Sequence, residues 1–73
     1  MKVKYNFQRL KGRIKEYYGS QENFAKVLGI AENTLSRKMT NNIRFSYDEI
    51  ATMIDILHIK PNEIQDIFFT RER

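Results

Sequence analysis

Apolar residues recur along most of this chain at steps of three and four. That spacing predicts helices packed through one face, and no strands. Phe7, Leu10, Ile14 and Tyr17 define a first face, and Phe24, Ala25 and Leu28 a second. Leu35 and Met39 define a third at i and i+4. A fourth takes Ile50, Met53 or Ile54, and Leu57, and a fifth Ile64, Ile67 and Phe68. The expected fold class is all-α, a compact domain of five short helices.

The residues between these faces supply starts and stops. Asn6 is placed to cap the first helix, with Tyr5 and Leu10 as its hydrophobic staple. Gly19 ends that helix, Ser20 caps the second and Gly29 stops it, with Ile30 packing back across the turn. The third helix runs from Glu32 to Thr40, and Asn41-Asn42 ends it. Ser46 to Glu49 reads as a capping box, stapled by Phe45 and Ile50. Asp48 and Glu49 then sit where a helix dipole favours acids, and His58 lies near the end that favours a cation. Pro61 fits the first position of the fifth helix. Gly12 costs about 1 kcal/mol against alanine inside a helix. It either admits close approach of another backbone or is simply tolerated. Met1 to Tyr5 has no helix start signal and reads as a mobile basic arm or a frayed terminus, and Thr70 to Arg73 as a charged tail.

The chain has 73 residues, expected to form one domain over 1–73. A domain this small hides only about 60% of its unfolded surface. It has no cysteine, so disulfides and thiolate metal sites are excluded. No apolar run approaches the roughly 20 residues of a membrane span. The lysines at positions 2 and 4 are not followed by a signal-peptide core, so a cytoplasmic location is expected. Net charge is +4, unevenly spread: residues 1–44 hold ten Lys/Arg and three acids, residues 45–73 three Lys/Arg and six acids. A basic front on an acidic rear suggests a polyanionic partner on one side.

No catalytic constellation stands out. There is one histidine and no glycine-rich phosphate loop. Asp55 and His58 share a helix face, but two ligands do not make a metal site, and Glu63 and Asp66 read as solvated acids. The expectation is no enzyme activity, no metal, no cofactor and no small-molecule ligand.

Residues 20–40 meet the geometric needs of a helix-turn-helix. Two helices crossing steeply need a small residue at their contact, and Ala25 supplies it. The turn needs a permissive backbone, and Gly29 supplies that. Phe24, Leu28, Ile30 and Leu35 anchor both helices. An arbitrary helical hairpin accounts for the apolar residues, but not for Ala25, Gly29 and a polar outer face together.

On these residues the chain resembles the helix-turn-helix of phage Cro and repressor proteins and their bacterial relatives. Leu10 to Ile14, Ser20 to Lys26, Thr34 to Met39, Asp48 to Ile50 and Ile67 to Phe69 extend the likeness. They are similar to small Cro-like regulators of phages and prophages in Gram-positive bacteria. The resemblance implies a five-helix DNA-binding fold of the phage-repressor type, acting as a dimer in a bacterial host cell. Ala31 stands where the family often has a capping serine, and Lys38 where it usually has an apolar residue.

Geometry and resemblance together assign roles. Glu32, Asn33, Ser36 and Arg37 face outward as base contacts: Arg37 suits guanine, Asn33 adenine, and Glu32 cytosine N4, unless Glu32 only caps its own helix. Ser20, Gln21, Lys38, Thr40, Asn41, Asn42 and Arg44 are the expected phosphate contacts, with Lys11 and Arg13 weaker ones. Phe69 is a candidate for a dimer interface or for the core. The expected function is sequence-specific regulation of transcription on a double-stranded operator. The alternative is an antitoxin-like or anti-repressor protein-interaction module on the same fold.

Overall fold

Serine hydroxyls start two of the helices in the computed structural model, which describes residues 3–72. Ser20 Oγ accepts from the Asn23 amide at 3.1 Å and opens α2, Gln21–Leu28. Ser46 Oγ accepts from the Glu49 amide at 3.1 Å and opens α4, Tyr47–Ile56. Glu49 Oε1 answers by accepting from the Ser46 amide at 2.7 Å, which completes the capping box. The other helices are α1, Gln8–Tyr18, α3, Glu32–Met39, and α5, Ile64–Phe68, entered through a single 3₁₀ turn, Pro61–Glu63. The described residues are all-helical, with five α-helices. Among the described residues the only extended pairing is one antiparallel bridge, Tyr5 with Arg71.

Two glycines make the stops. Gly29 takes a left-handed φ of 84° and donates its amide to the Ala25 carbonyl at 2.9 Å, and the Ile30 amide donates to the same oxygen at 3.0 Å. Gly19 closes α1 at φ 81°. A β-carbon at either position would strain the backbone.

The core gathers one stripe from every helix: Leu10 and Ile14, Phe24 and Ala25, Leu35 and Met39, Met53 and Leu57, and Ile67 and Phe68. Phe7 and Ile59, outside the helices, are buried in the same core. α1 packs on α2 and α5, while α2 packs on α3 and α4. Among the described residues, no helix is long and apolar enough to cross a membrane.

Four local expectations change, and one open choice, at Gly12, is decided. Tyr17 is exposed, and its neighbour Tyr18 turns inward, its hydroxyl donating to the Ile56 carbonyl at 3.1 Å. A helical turn of 3.6 residues leaves either tyrosine near the stripe, and only the position of α4 selects Tyr18. Asn6 does not occupy the N-cap position, which Phe7 takes. Its Oδ1 still accepts from the Gln8 amide at 2.9 Å, so it serves one free donor from a residue further out. Gly12 meets no neighbour within 4 Å of where a β-carbon would stand, so no close approach explains it. Residues 3–5 are neither mobile arm nor frayed end. The Asn6 amide donates to the Thr70 carbonyl at 2.7 Å and the Glu72 amide to the Lys4 carbonyl at 2.9 Å, joining the arm to the expected tail in a short ribbon. Met1 and Lys2, the rest of that arm, lie outside the described residues, as does Arg73. Pro61 opens a 3₁₀ turn instead of the α-helix itself.

Candidate nucleic-acid interface

The outer face of α3 follows from what its inner face buries. Leu35 is fully buried and Met39 nearly so, which turns Glu32, Asn33 and Arg37 into solvent and leaves Ser36 half-buried. These four lie at i, i+4 spacings (32 with 36, 33 with 37), so they form one side of the helix. The substitution of Lys38 for an apolar residue does not rotate α3, because Met39 takes the inward place. Ala31 caps nothing: its backbone is extended, at φ −69° and ψ 149°, but no side chain accepts from the first amides of α3.

The start of α2 lies beside α1. Ser20 is exposed, while Gln21 is half-buried with its Oε1 enclosed and without a hydrogen-bond partner. Lys11, Lys15, Ser20 and Gln21 line one shallow groove there. Lys15 was not singled out in the sequence. It stands at i, i+4 from Lys11, on the same groove beside the start of α2.

The segment after α3 departs from the expected row of phosphate contacts. Thr40 and Asn42 are exposed, and the Thr40 hydroxyl donates to the Ser36 carbonyl at 3.0 Å. Asn41 is buried, and its amide is spent on the Tyr5 backbone, accepting from N–H and donating to C=O, each at 2.9 Å. Lys38 is only 11% exposed; its Nζ donates to Glu49 Oε1 at 2.7 Å and to the Arg44 carbonyl at 3.1 Å. Asn41 and Lys38 therefore act as internal tethers in this fold. A side chain whose hydrogen-bonding groups are already paired inside the fold gains little by turning to a phosphate. The Arg44 guanidinium is exposed, donates to the Val3 carbonyl, and lies 5.5 Å from the centroid of the Tyr5 ring. Arg13 is also internal: it donates to the Leu57 carbonyl at 3.2 Å and to Glu63 Oε2 at 2.7 Å, tying α1 to the end of α4 and the start of α5.

These ion pairs hold two carboxyl groups below the ordinary glutamate range. At Glu49, burial opposes ionisation, but hydrogen bonds from Lys38 and the Ser46 amide outweigh it. At Glu63, the Lys60 amide and then the Arg13 guanidinium lower the value. Neither group is placed for proton transfer to a bound molecule, since each is committed to its tether. His58 stands with its ring 5.4 Å from that of Tyr17. Among the described residues, no three His, Cys, Asp or Glu side chains cluster as metal ligands.

The fold is similar to the solution structure of the modulator of repression of the temperate bacteriophage TP901-1 from Lactococcus lactis. The two superpose with a TM-score of 0.77 at 35% sequence identity, covering 89% of this chain and 88% of that one. No curated protein matches the chain. Residues 3–71, nearly its whole length, match one protein family, and the chain belongs to that family, described as "Protein of unknown function (DUF739)".

Proposed function

We propose that this protein is a sequence-specific double-stranded DNA-binding regulator of transcription, of a Cro-like phage or prophage kind. In this reading α2 and α3 act as a helix-turn-helix, and α3 enters the major groove. The observation that carries it is the outer side of α3, where Glu32, Asn33, Ser36 and Arg37 are aligned over a helix seated by Leu35 and Met39. Arg37 suits bidentate contact with guanine, and Asn33 with adenine. Ser20, Gln21, Thr40, Asn42 and Arg44 flank that face as phosphate contacts, joined by Lys11 and Lys15 beside the start of α2. Two copies on a near-palindromic operator would set their α3 helices about 34 Å apart. Phe69, 38% exposed, is a candidate for their contact. No catalytic step, cofactor or small ligand belongs to this reading.

A gel shift with DNA from upstream of the protein's own gene tests it. The expected result is a complex that random DNA of equal length does not compete away. Binding equal to that on random DNA would sink the reading.

A second reading, an anti-repressor or antitoxin-like module, draws support from the likeness to a modulator of repression and from the inward commitment of Lys38 and Asn41. In that case the same α3 face meets a protein. Adding this chain to a repressor encoded beside it would then change that repressor's hold on its operator, while the chain alone shifts no DNA.

A further inference from the structure

Asn41 is the one buried polar residue among the described residues. It follows the last residue of α3's cap at a left-handed φ of 69°. Its amide pairs in both directions with the Tyr5 backbone, as a neighbouring strand would. Tyr5 lies opposite Arg71 in the terminal ribbon, where the hydrogen bonds come from its neighbours, so its own N–H and C=O face away from that ribbon. Asn41 is their partner, and without it two part-buried backbone groups would lose their pairing inside the fold. On its other side, the backbone beginning at Asn41 is bonded to α3. The Asn42 amide donates to the Arg37 carbonyl at 2.8 Å, and the Ile43 amide donates to the same oxygen at 3.3 Å.

From this juxtaposition we propose that Asn41 is a positioning residue, whose amide clamps the end of α3 to the terminal ribbon and so fixes the helix turn that presents Arg37. The position makes two demands at once. It needs a residue that tolerates positive φ, and it needs a donor and an acceptor on one short side chain. Asparagine meets both. Glycine meets only the first, and aspartate meets the first but offers no donor. The clamp itself does not depend on what α3 recognises. Its consequence for DNA rests on the DNA-binding reading.

Amide hydrogen exchange on the full chain tests it with Asn41→Gly and Asn41→Asp. Both keep the backbone conformation accessible; glycine removes both hydrogen bonds, and aspartate removes the one donated to the Tyr5 carbonyl. In Asn41→Gly the amides of Tyr5, Asn42 and Ile43 should exchange about tenfold faster, and in Asn41→Asp, which still accepts from the Tyr5 N–H, those of Asn42 and Ile43 should, while those of Ile14 and Phe24 stay within about twofold in both. Loosening of Tyr5 with Asn42 and Ile43 still protected would overturn the proposal, because the clamp would then hold only the arm. Global unfolding of both variants would also overturn it, by making Asn41 a general requirement of the fold. On an operator that the normal protein distinguishes from random DNA, Asn41→Gly should lower that preference by roughly fivefold or more. The salt slope should stay the same. A slope flatter by about one unit would instead make Asn41 a phosphate contact. If the normal protein binds no DNA, the exchange measurement alone decides the clamp, so failure of the DNA reading and failure of the clamp are separate results.

Discussion

Lys38 Nζ lies 2.7 Å from Glu49 Oε1, which joins the last turn of α3 to the first turn of α4. The same glutamate closes the capping box of α4, so one carboxylate serves a helix start and an interhelical tether. Lys38 also stands 5.8 Å from the centroid of the Phe45 ring. Lys38→Ala should therefore lower stability by roughly 1–3 kcal/mol, as expected for losing hydrogen bonds to a charged group. Urea unfolding measures this. The salt dependence of DNA binding should not change, and a slope flatter by about one unit would return Lys38 to the phosphates.

Stability should fall in acid for a stated reason. Glu49 and Glu63 both titrate below their ordinary value of 4.5 in the folded protein. The unfolded chain then binds more protons than the folded one over that range, so their contribution is complete above about pH 4.5 and is lost as pH falls through the folded values. Melting temperatures taken from pH 7 down to pH 3 should show this loss. A Glu49→Gln, Glu63→Gln double variant should start less stable and show a shallower decline. An equally steep decline would place the acid sensitivity elsewhere.

Gly12 offers a gain. It sits inside α1, is exposed, and a β-carbon there meets nothing within 4 Å. Gly12→Ala should stabilise the protein by about 1 kcal/mol, which in a domain of this size raises the melting temperature by roughly 4–8 °C. A lower melting temperature would mean that Gly12 meets a partner after all.

Ala31 offers another. Its extended backbone resembles that of Ser46, which caps α4 at φ −77° and ψ 161°. Ala31→Ser should supply the missing acceptor to α3 and add about 1 kcal/mol. Thermal unfolding measures the gain, and increased protection of the Asn33 or Thr34 amide would locate it.

Arg37 and Arg44 should behave differently on DNA if the regulator reading holds. Arg37→Ala should lose discrimination at one base pair, at a cost of roughly 1–3 kcal/mol. Arg44→Ala should weaken binding to any sequence and flatten the salt slope by about one unit. Uniform weakening by Arg37→Ala would make it a phosphate contact, and an unchanged slope for Arg44→Ala would remove it from the interface.

What proved legible in the sequence was local. Ser20 and Ser46 cap their helices because a hydroxyl reaches an amide three residues on, and that needs no knowledge of the rest of the chain. The steps of three and four found the buried stripes for the same reason, and Gly29 announced its turn through its own backbone freedom. Where local rules left two neighbours equivalent, the choice failed, as with Tyr17 and Tyr18.

The sequence by itself thus determines the five helices, the caps at Ser20 and Ser46, the stops at Gly19 and Gly29, and the polar side of α3. Tertiary structure decided which polar residues beside α3 remain free. Tyr5 and Asn41 are 36 positions apart, and Arg13 and Glu63 are 50 apart. A lysine, arginine or asparagine looks equally available in sequence whether it ends in solvent or on a distant backbone group. Only the folded chain brings its partner within about 3 Å, and an internal hydrogen bond at that distance takes the side chain out of the pool open to a ligand.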